Sequence, residues 1–582
     1  MENEAKKPTV LPPPDQLNKA MTAIAARSQR IVTDFLDRQR QDQSISDVFD
    51  PLHIGDAFLQ MTAQMLAGPV TLAEAHLSLW TDYLQMWQNT AQRLMGGTAP
   101  PPTEAPLVSA DGQKGGAFDF IAQSYLLTAR WIQSLVGNAE GLDAETIHKV
   151  DFYTRQFIDA MSPVTLFESN PDLLNLILAS NGELLVKGLG HLLGDLEHSK
   201  SLFSAPFRTQ KAHMPGEQIA VTPGSVIFRN KVMELLHYSP LKAADQRTPL
   251  LIVPSWTEKY YLLDLRPDSS LIRWLVEQGF SVFLLSWSGA DFDFAETVEQ
   301  GLLAALAAIE QTTGAAQVNG VGVGLGGTLL AATQAWLAAR QQDRFSSATF
   351  LASLLDFSQV GVLSVFIDEE LLRRESDEDS NSAGQLPAML SLLRANDLIW
   401  SFVLDTYQRG RGPFPFDLLA WNADVPHLPA KLQSFYLREL YQKNRLAEPG
   451  GLSLQGTPLD LGKITTPAYV LAMVEDHLVP WRSAFAATRL LGGPVRFVLA
   501  ESGHAAGIVN PPVLGLHSHW VPGRAAKDAD RWLKAAHRQP GSWWEDWGRW
   551  LAKQSGPTVL RAPADRTAAL EDAPGSYVRS RE

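Results

Sequence analysis

Three groups of residues in this chain have types and spacing that could do chemistry. The first is the turn Val318-Asn319-Gly320-Val321-Gly322-Val323-Gly324-Leu325-Gly326-Gly327-Thr328, with an apolar run before it and an alanine-rich helical pattern from Leu329 to Arg340 after it. The second is Glu475-Asp476-His477, and the third is Glu501-Ser502-Gly503-His504, each behind an apolar, strand-like stretch. A strand that turns sharply through glycines into a helix suits a nucleophile elbow or a phosphate-binding turn. A carboxylate and a histidine that close two later strands suit general acid–base work. Asp476 would orient and stabilise the imidazole, and His504 would abstract a proton. Either residue alone reads as an ordinary loop residue; the order elbow, acid, base is what makes the set chemical. Yet the middle of the turn, Gly324, has no side chain with which to attack anything.

The elements that must position these groups follow from hydrophobic period and turn residues. Val226–Phe228 and Met233–His237 read as a hairpin. Buried-type strands are expected at Pro249–Pro254, Phe280–Trp287, Phe345–Leu351, Ala468–Met473 and Val495–Ala500. Helical patterns at Asp268–Gln278 and Ala295–Gln311 alternate with them, which implies a mostly parallel sheet covered on both faces. Between Asp356 and about Leu446 the alternation stops, in a long helical insertion placed where a cap over the active face would sit. Before the sheet, Leu17, Met21, Ile24, Ile31 and Phe35 begin a helical region that continues through Ile54–Leu66 and Leu72–Leu94. A Pro- and Gly-containing linker separates it from further helical patterns at Phe118–Val136, Ala144–Met161 and Pro171–Leu196.

The domain reading is therefore an N-terminal helical segment 1–95, a linker 96–117 and a helical N-terminal domain 118–215. A sheet-bearing catalytic domain 216–555 with a cap insertion at about 357–446 and a flexible polar tail 556–582 complete it. At 582 residues, with 45% hydrophobic and 9% aromatic content, two or more compact units are expected. The formal charge of −14 argues against general binding of a nucleic-acid backbone. No cysteine is present, so disulfides, thiolate metal sites and a cysteine nucleophile are excluded. The first residues are charged and lack a signal-peptide core, and no apolar run approaches the ~20 residues that span a bilayer. A cytoplasmic location is expected.

A dinucleotide-binding reading also fits Gly322-x-Gly324-x-x-Gly327. That motif belongs to the first strand of its unit and is followed about 20 residues later by an acidic residue. Here at least two strands precede it, and Asp356, which closes the next strand, comes late. The glycines are better explained by a tight turn and close helix packing. In an α/β-hydrolase the order along the chain is nucleophile, acid, histidine, each at the C-terminal end of a strand, as here.

From about Asp50 to Trp550 the sequence resembles the class I polyhydroxyalkanoate synthases, the bacterial poly(3-hydroxybutyrate) polymerase family. The resemblance rests on Asp159-Ala160-Met161-Ser162-Pro163, Lys259-Tyr260-Tyr261-Leu262-Leu263-Asp264-Leu265 and Ser269-Ser270-Leu271. It continues through Leu354-Leu355-Asp356-Phe357, Asn396-Asp397-Leu398-Ile399-Trp400 and Pro415-Phe416-Asp417-Leu418-Leu419. It ends on Glu475-Asp476-His477-Leu478-Val479-Pro480-Trp481, Ser502-Gly503-His504 and Gly541-Ser542-Trp543-Trp544. It implies an α/β-hydrolase fold with a helical N-terminal domain and a cap. It also implies transfer of (R)-3-hydroxyacyl groups from CoA to a growing polyester held on a cysteine thioester. Asp476 and His504 match the family's acid and base. The N-terminal domain is associated in the family with dimerisation and granule attachment. No cofactor beyond the CoA of the substrate is implied, and no metal.

The departure is as specific as the match. The family's elbow reads G-x-C-x-G, whereas this chain reads Gly322-Val323-Gly324-Leu325-Gly326, so Gly324 falls on the nucleophile. Thr328 lies one helical turn on, too far for its hydroxyl to serve. Ser401-Phe402 stands where an Asn-Tyr pair is usual, and Trp256 and Glu258 replace a Cys and an Asn. What survives is the Leu325 N–H as an oxyanion donor, the acid–base pair and substrate binding. Three readings follow. The first is an inactive paralogue that partners an active synthase, as homodimer or heterodimer, or the granule surface. The second is a polymerase with a substitute nucleophile from Ser286-Trp287-Ser288. The third is a hydrolase in which Asp476 and His504 activate water against acyl-CoA thioesters or oligomers.

Overall fold

The computed structural model describes residues 215–361, 417–560 and 569–580, apart from short gaps. The chain divides into two compact units, 1–208 with 399–414 and 209–398 with 415–582, and all the described elements belong to the second. The expected segment 1–95, linker 96–117 and helical domain up to residue 214 lie outside the described residues, as do 368–416 of the expected cap and Ser401 and Phe402.

The sheet is built from β1 (Ser225–Arg229), β2 (Met233–Tyr238), β3 (Leu250–Val253), β4 (Val282–Trp287), β5 (Val318–Val323) and β6 (Phe345–Leu351), followed by β7 (Ala468–Met473) and β8 (Val495–Ala500). Three short strands, β9 (His519–Val521), β10 (His537–Gln539) and β11 (Glu571–Asp572), extend its two edges. The order is β10-β9-β8-β7-β6-β5-β3-β4-β2-β1-β11. From β4 across to β8 every pairing is parallel, and the outer pairings are antiparallel. The parallel strands β3, β5 and β7 are buried along their whole length, as strands covered on both faces must be. The hairpin, the strand series and the helices α1 (Leu271–Glu277), α2 (Ala304–Thr313) and α3 (Leu325–Ala339) lie where hydrophobic period placed them. The helical run expected at Ala295–Gln311 starts at Phe294 and passes through a π-helical stretch, Thr297–Leu303, before α2. No helix among the described residues is long and apolar enough to cross a membrane.

The tail is a correction. The stretch 556–582 reads as flexible because it is polar and contains proline, but of its described parts Thr558–Leu560 pairs with Ala244–Gln246 and 569–580 is fastened to the sheet edge. Ser225 pairs with Asp572 and Val226 with Glu571. Glu234, whose side chain is fully buried, accepts from the N–H groups of Ser576 (3.2 Å) and Tyr577 (3.1 Å) and from Arg229 Nε (2.7 Å). The Tyr577 hydroxyl donates to Asn230 O at 2.7 Å, and Val578 is buried. A buried carboxylate must find donors, and here the chain end supplies two of them. Local composition cannot show this, because the partners are more than three hundred residues away. Glu234→Ala should lower the unfolding free energy by about 1–3 kcal/mol in a urea titration, since buried donors lose their acceptor. The segment after residue 568 should then be cleaved by protease ahead of the rest.

Candidate active site

The glycine turn joins β5 to α3 at the C-terminal edge of the parallel sheet. Gly324 sits at φ 55°, ψ −126°, a region that side-chain-bearing residues enter only under strain, and its N–H continues the ladder to Leu351 O at 2.9 Å. The other glycines serve close approach. A Cβ on Gly322 would overlap Gly327 Cα, and one on Gly326 would overlap the carbonyl oxygen of Val253. Position 324 differs. Among the described residues, a Cβ there would meet only Ser255 Cβ, at an ordinary 3.6 Å. The backbone thus makes the sharp strand-to-helix turn that a nucleophile elbow requires, with room for a side chain at position 324 among the described residues. The Leu325 N–H opens α3 and has no acceptor within the helix, so it points from the turn as an anion donor.

Asp476 and His504 are brought together. Beyond β7, Asp476 Oδ1 accepts the N–H groups of Leu478 (2.9 Å) and Val479 (2.8 Å), which locks the loop. Its other oxygen, Oδ2, lies 2.7 Å from His504 Nδ1. Both side chains are almost wholly buried. His504 is the first residue of α4 (His504–Ile508), reached through Ser502 at φ 89°. The indole N–H groups of Trp543 and Trp544 donate to the carbonyls of Gly507 (2.8 Å) and Ile508 (3.0 Å), so the short helix is held from its C-terminal end. With Nδ1 held by the carboxylate, Nε2 is the ring nitrogen through which His504 would exchange protons with a substrate.

Two further walls were not legible in the sequence. The loop after β3 runs beside the elbow, with Pro254 O accepting from Trp287 Nε1 at 2.8 Å. Ser255 Oγ lies 2.7 Å from Thr257 Oγ1, and Trp256 is buried edge-on to Tyr436 with ring centroids 4.4 Å apart. From the described part of the insertion, Tyr436–Gln442 supplies two tyrosines, Tyr436 buried and Tyr441 half-buried. Burial pushes the Tyr441 hydroxyl well above its usual range, helped by the nearby Asp476 charge, and burial does the same to Tyr436. Both therefore remain hydroxyl donors, and among the described residues the Tyr436 hydroxyl has no partner. Asn444 closes this side, donating to Asp356 Oδ1 (2.9 Å) and accepting from Phe357 N (2.7 Å). Tyrosines within this helical stretch carry no signature of their own and could only have been found from the insertion's position.

Other sequence candidates fall away. Thr328 is buried and its hydroxyl donates to Leu354 O at 2.8 Å. Ser286 belongs to β4, which β3 separates from the elbow strand, and Ser288 Oγ donates to Lys231 O at 2.6 Å. No cluster of metal-ligating side chains occurs among the described residues.

A mostly parallel sheet with this elbow, and with an acid and a histidine on later strand ends, defines an α/β-hydrolase fold, and residues 248–511 match the family described as alpha/beta hydrolase fold. Residues 108–275 match the family described as Poly-beta-hydroxybutyrate polymerase (PhaC) N-terminus. A poly(3-hydroxyalkanoate) polymerase of Methylorubrum extorquens is 40% identical over 532 residues, covering 88% of each chain. Another from Rhizobium meliloti, a polymerase subunit PhaC, is 37% identical over 97% of this chain and 94% of its own. Among solved structures, a hydrolase from Pseudomonas aeruginosa PA01 is 14% identical, with a TM-score of 0.33 over 50% of this chain and 95% of its own. The chain belongs to the poly(3-hydroxyalkanoate) polymerase (PhaC) family.

The Asp476–His504 pair makes a prediction independent of any activity. In Asp476→Asn the amide group can donate to Nδ1, so the imidazole proton should move to Nε2. Nitrogen NMR of His504 should report that tautomer change, and any reaction that uses His504 should fall by about 10⁴-fold.

Proposed function

We propose that this chain is a polyhydroxyalkanoate synthase family protein that does not itself polymerise. We further propose that it acts as a partner of a cysteine-bearing synthase or of the granule surface. The observation that carries the reading is Gly324, a turn residue with elbow geometry and no side chain. The family reaction needs an atom on which the growing (R)-3-hydroxyacyl chain is held while the next CoA thioester arrives. Loss of a nucleophile from a triad costs on the order of 10⁶-fold in turnover, and processive growth loses its tether altogether. Partner binding fits what remains, since the elbow backbone forms without a side chain at position 324. The partner is a synthase chain in a heterodimer, a second copy in a homodimer, or polyester at the granule.

A second reading is favoured by the formed Asp476–His504 pair, whose 2.7 Å contact and two backbone donors to the carboxylate suit base catalysis. Water activated by His504 would hydrolyse an acyl-CoA thioester or an oligomer, with the Leu325 N–H stabilising the oxyanion. Neither reading requires a metal or a cofactor other than the substrate's CoA.

Purified protein with (R)-3-hydroxybutyryl-CoA separates these readings. No polymer is expected, and polymer formation would overturn the non-polymerising assignment. CoA release without polymer is the expected result for the hydrolytic reading. Gly324→Cys should raise CoA release at least tenfold, because the position accepts a Cβ without overlap. A null result there would show that Trp256 and Glu258 have altered the pocket as well. The partner reading predicts co-purification with a cysteine-bearing synthase at micromolar concentration, and absence of association removes it.

A further inference from the structure

We propose that residues 569–580 are a strap, which acts through the ammonium of Lys259 to hold the helix Asp417–Ala423 of the insertion against the sheet-bearing unit. The proposal concerns how the insertion is set and goes beyond either reading of the site.

The segment from Lys259 to Arg266 lies between tail and insertion and grips the helix at both ends. At its start, Arg266 Nε is 2.9 Å from Asp417 Oδ2. Within it, the Trp421 indole donates to Lys259 O at 2.8 Å. Just past its end, Asp424 pairs with the Lys259 ammonium at 2.9 Å through Oδ1 and accepts the Tyr261 hydroxyl at 2.9 Å through Oδ2. The same segment also faces the tail. Lys259 Nζ donates to Ser580 O at 2.7 Å, and the Tyr260 hydroxyl lies 3.2 Å from Pro574 O. Of these side chains, Lys259 serves both sides with one charge.

That sharing is what makes the tail a strap. Residues Tyr260–Asp264 are buried throughout, so the backbone here is fixed and the lysine head is the part free to respond. The Lys259 side chain is 7% exposed and that of Asp424 is 25% exposed. A sheltered ammonium keeps its acceptors, because losing one leaves a desolvated charge uncompensated. With the tail lifted, Ser580 O is lost and water takes its place. An ion pair open to water is weak and is screened by salt. The tail therefore turns what would be a surface pair between Lys259 and Asp424 into a sheltered one. The tail is itself fastened elsewhere, by Glu571 to Arg229 at 2.7 Å and by the Ser576 and Tyr577 N–H groups to Glu234. Its hold on Lys259 can thus be loosened without altering Lys259.

Hydrogen exchange read by mass spectrometry on the full chain tests this. Glu234→Ala loosens the tail at a point that does not touch the insertion, and Lys259→Met keeps most of the stem while removing the charge. In both variants the amides of 417–424 should exchange about tenfold faster than in the native protein, while those of β5 and β7 are unchanged. In Glu234→Ala the effect should grow between about 0.05 and 1 M salt, and the native protein should show no such dependence. Coupling runs both ways, so Lys259→Met should also speed exchange at 577–580. Deleting 569–582 should reproduce the Glu234→Ala result, and adding that segment back as a peptide should reverse it. Unchanged exchange at 417–424 in either point variant overturns the proposal, and Glu234→Ala decides alone if Lys259→Met does not fold. Faster exchange in β5 and β7 as well overturns it too, by making the tail a general stabiliser of the sheet. No outcome depends on CoA release, so failure here leaves both readings of the site standing.

Discussion

The contact on which the site depends is backbone against backbone. Gly326, in the first turn of α3, lies on the carbonyls of Val253 and Pro254, and Gly322 lies on Gly327. No side chain fits between them, so the elbow strand, its helix and the end of β3 form one unit. From this unit the loop after β3 is laid across the sheet edge. Trp256 meets Tyr436 of the insertion, and the Lys259 carbonyl accepts from Trp421 Nε1 at 2.8 Å. The Lys259 ammonium, nearly buried, pairs with Asp424 at 2.9 Å and donates to Ser580 O at 2.7 Å. One lysine thus ties together the loop beside the elbow, the described part of the insertion and the chain end. A buried ammonium needs such partners, because without them its desolvation would be uncompensated.

The acid–base half is held by other means. Backbone N–H groups fix the Asp476 carboxylate, that carboxylate fixes the imidazole, and two tryptophan indoles fix the helix carrying it. None of these interactions uses a side chain at position 324. Glycine at position 324 therefore leaves these contacts intact, which is why it coexists with a formed histidine–carboxylate pair.

The parts of this protein legible in its sequence are those whose cause is local or periodic. Buried parallel strands read as continuous apolar runs, so Leu250–Val253 and Ala468–Met473 are found within a residue or two of where the pattern put them. The glycine turn is legible because its backbone must fold back on itself, and Asp476 and His504 because each closes a strand in the order the chemistry needs. The family followed from motifs along most of the chain, and its polymerases match at 37–40% identity.

Tertiary structure alone decided the rest. Whether glycine at 324 leaves room for a side chain depends on Ser255, sixty-nine residues earlier, and nothing in either stretch signals the other. The polar tail reads as loose until Glu234 is found buried beneath it, and Tyr436 reads as one more aromatic in a helical insertion until it meets Trp256. Sequence patterns report how a segment satisfies its own backbone and its own apolar face. They do not report which distant donor a buried carboxylate captures, or what stands opposite a missing side chain. Those are set when the elements pack, because burial makes an unpaired polar group costly and the chain then pairs it with whatever the fold has brought near.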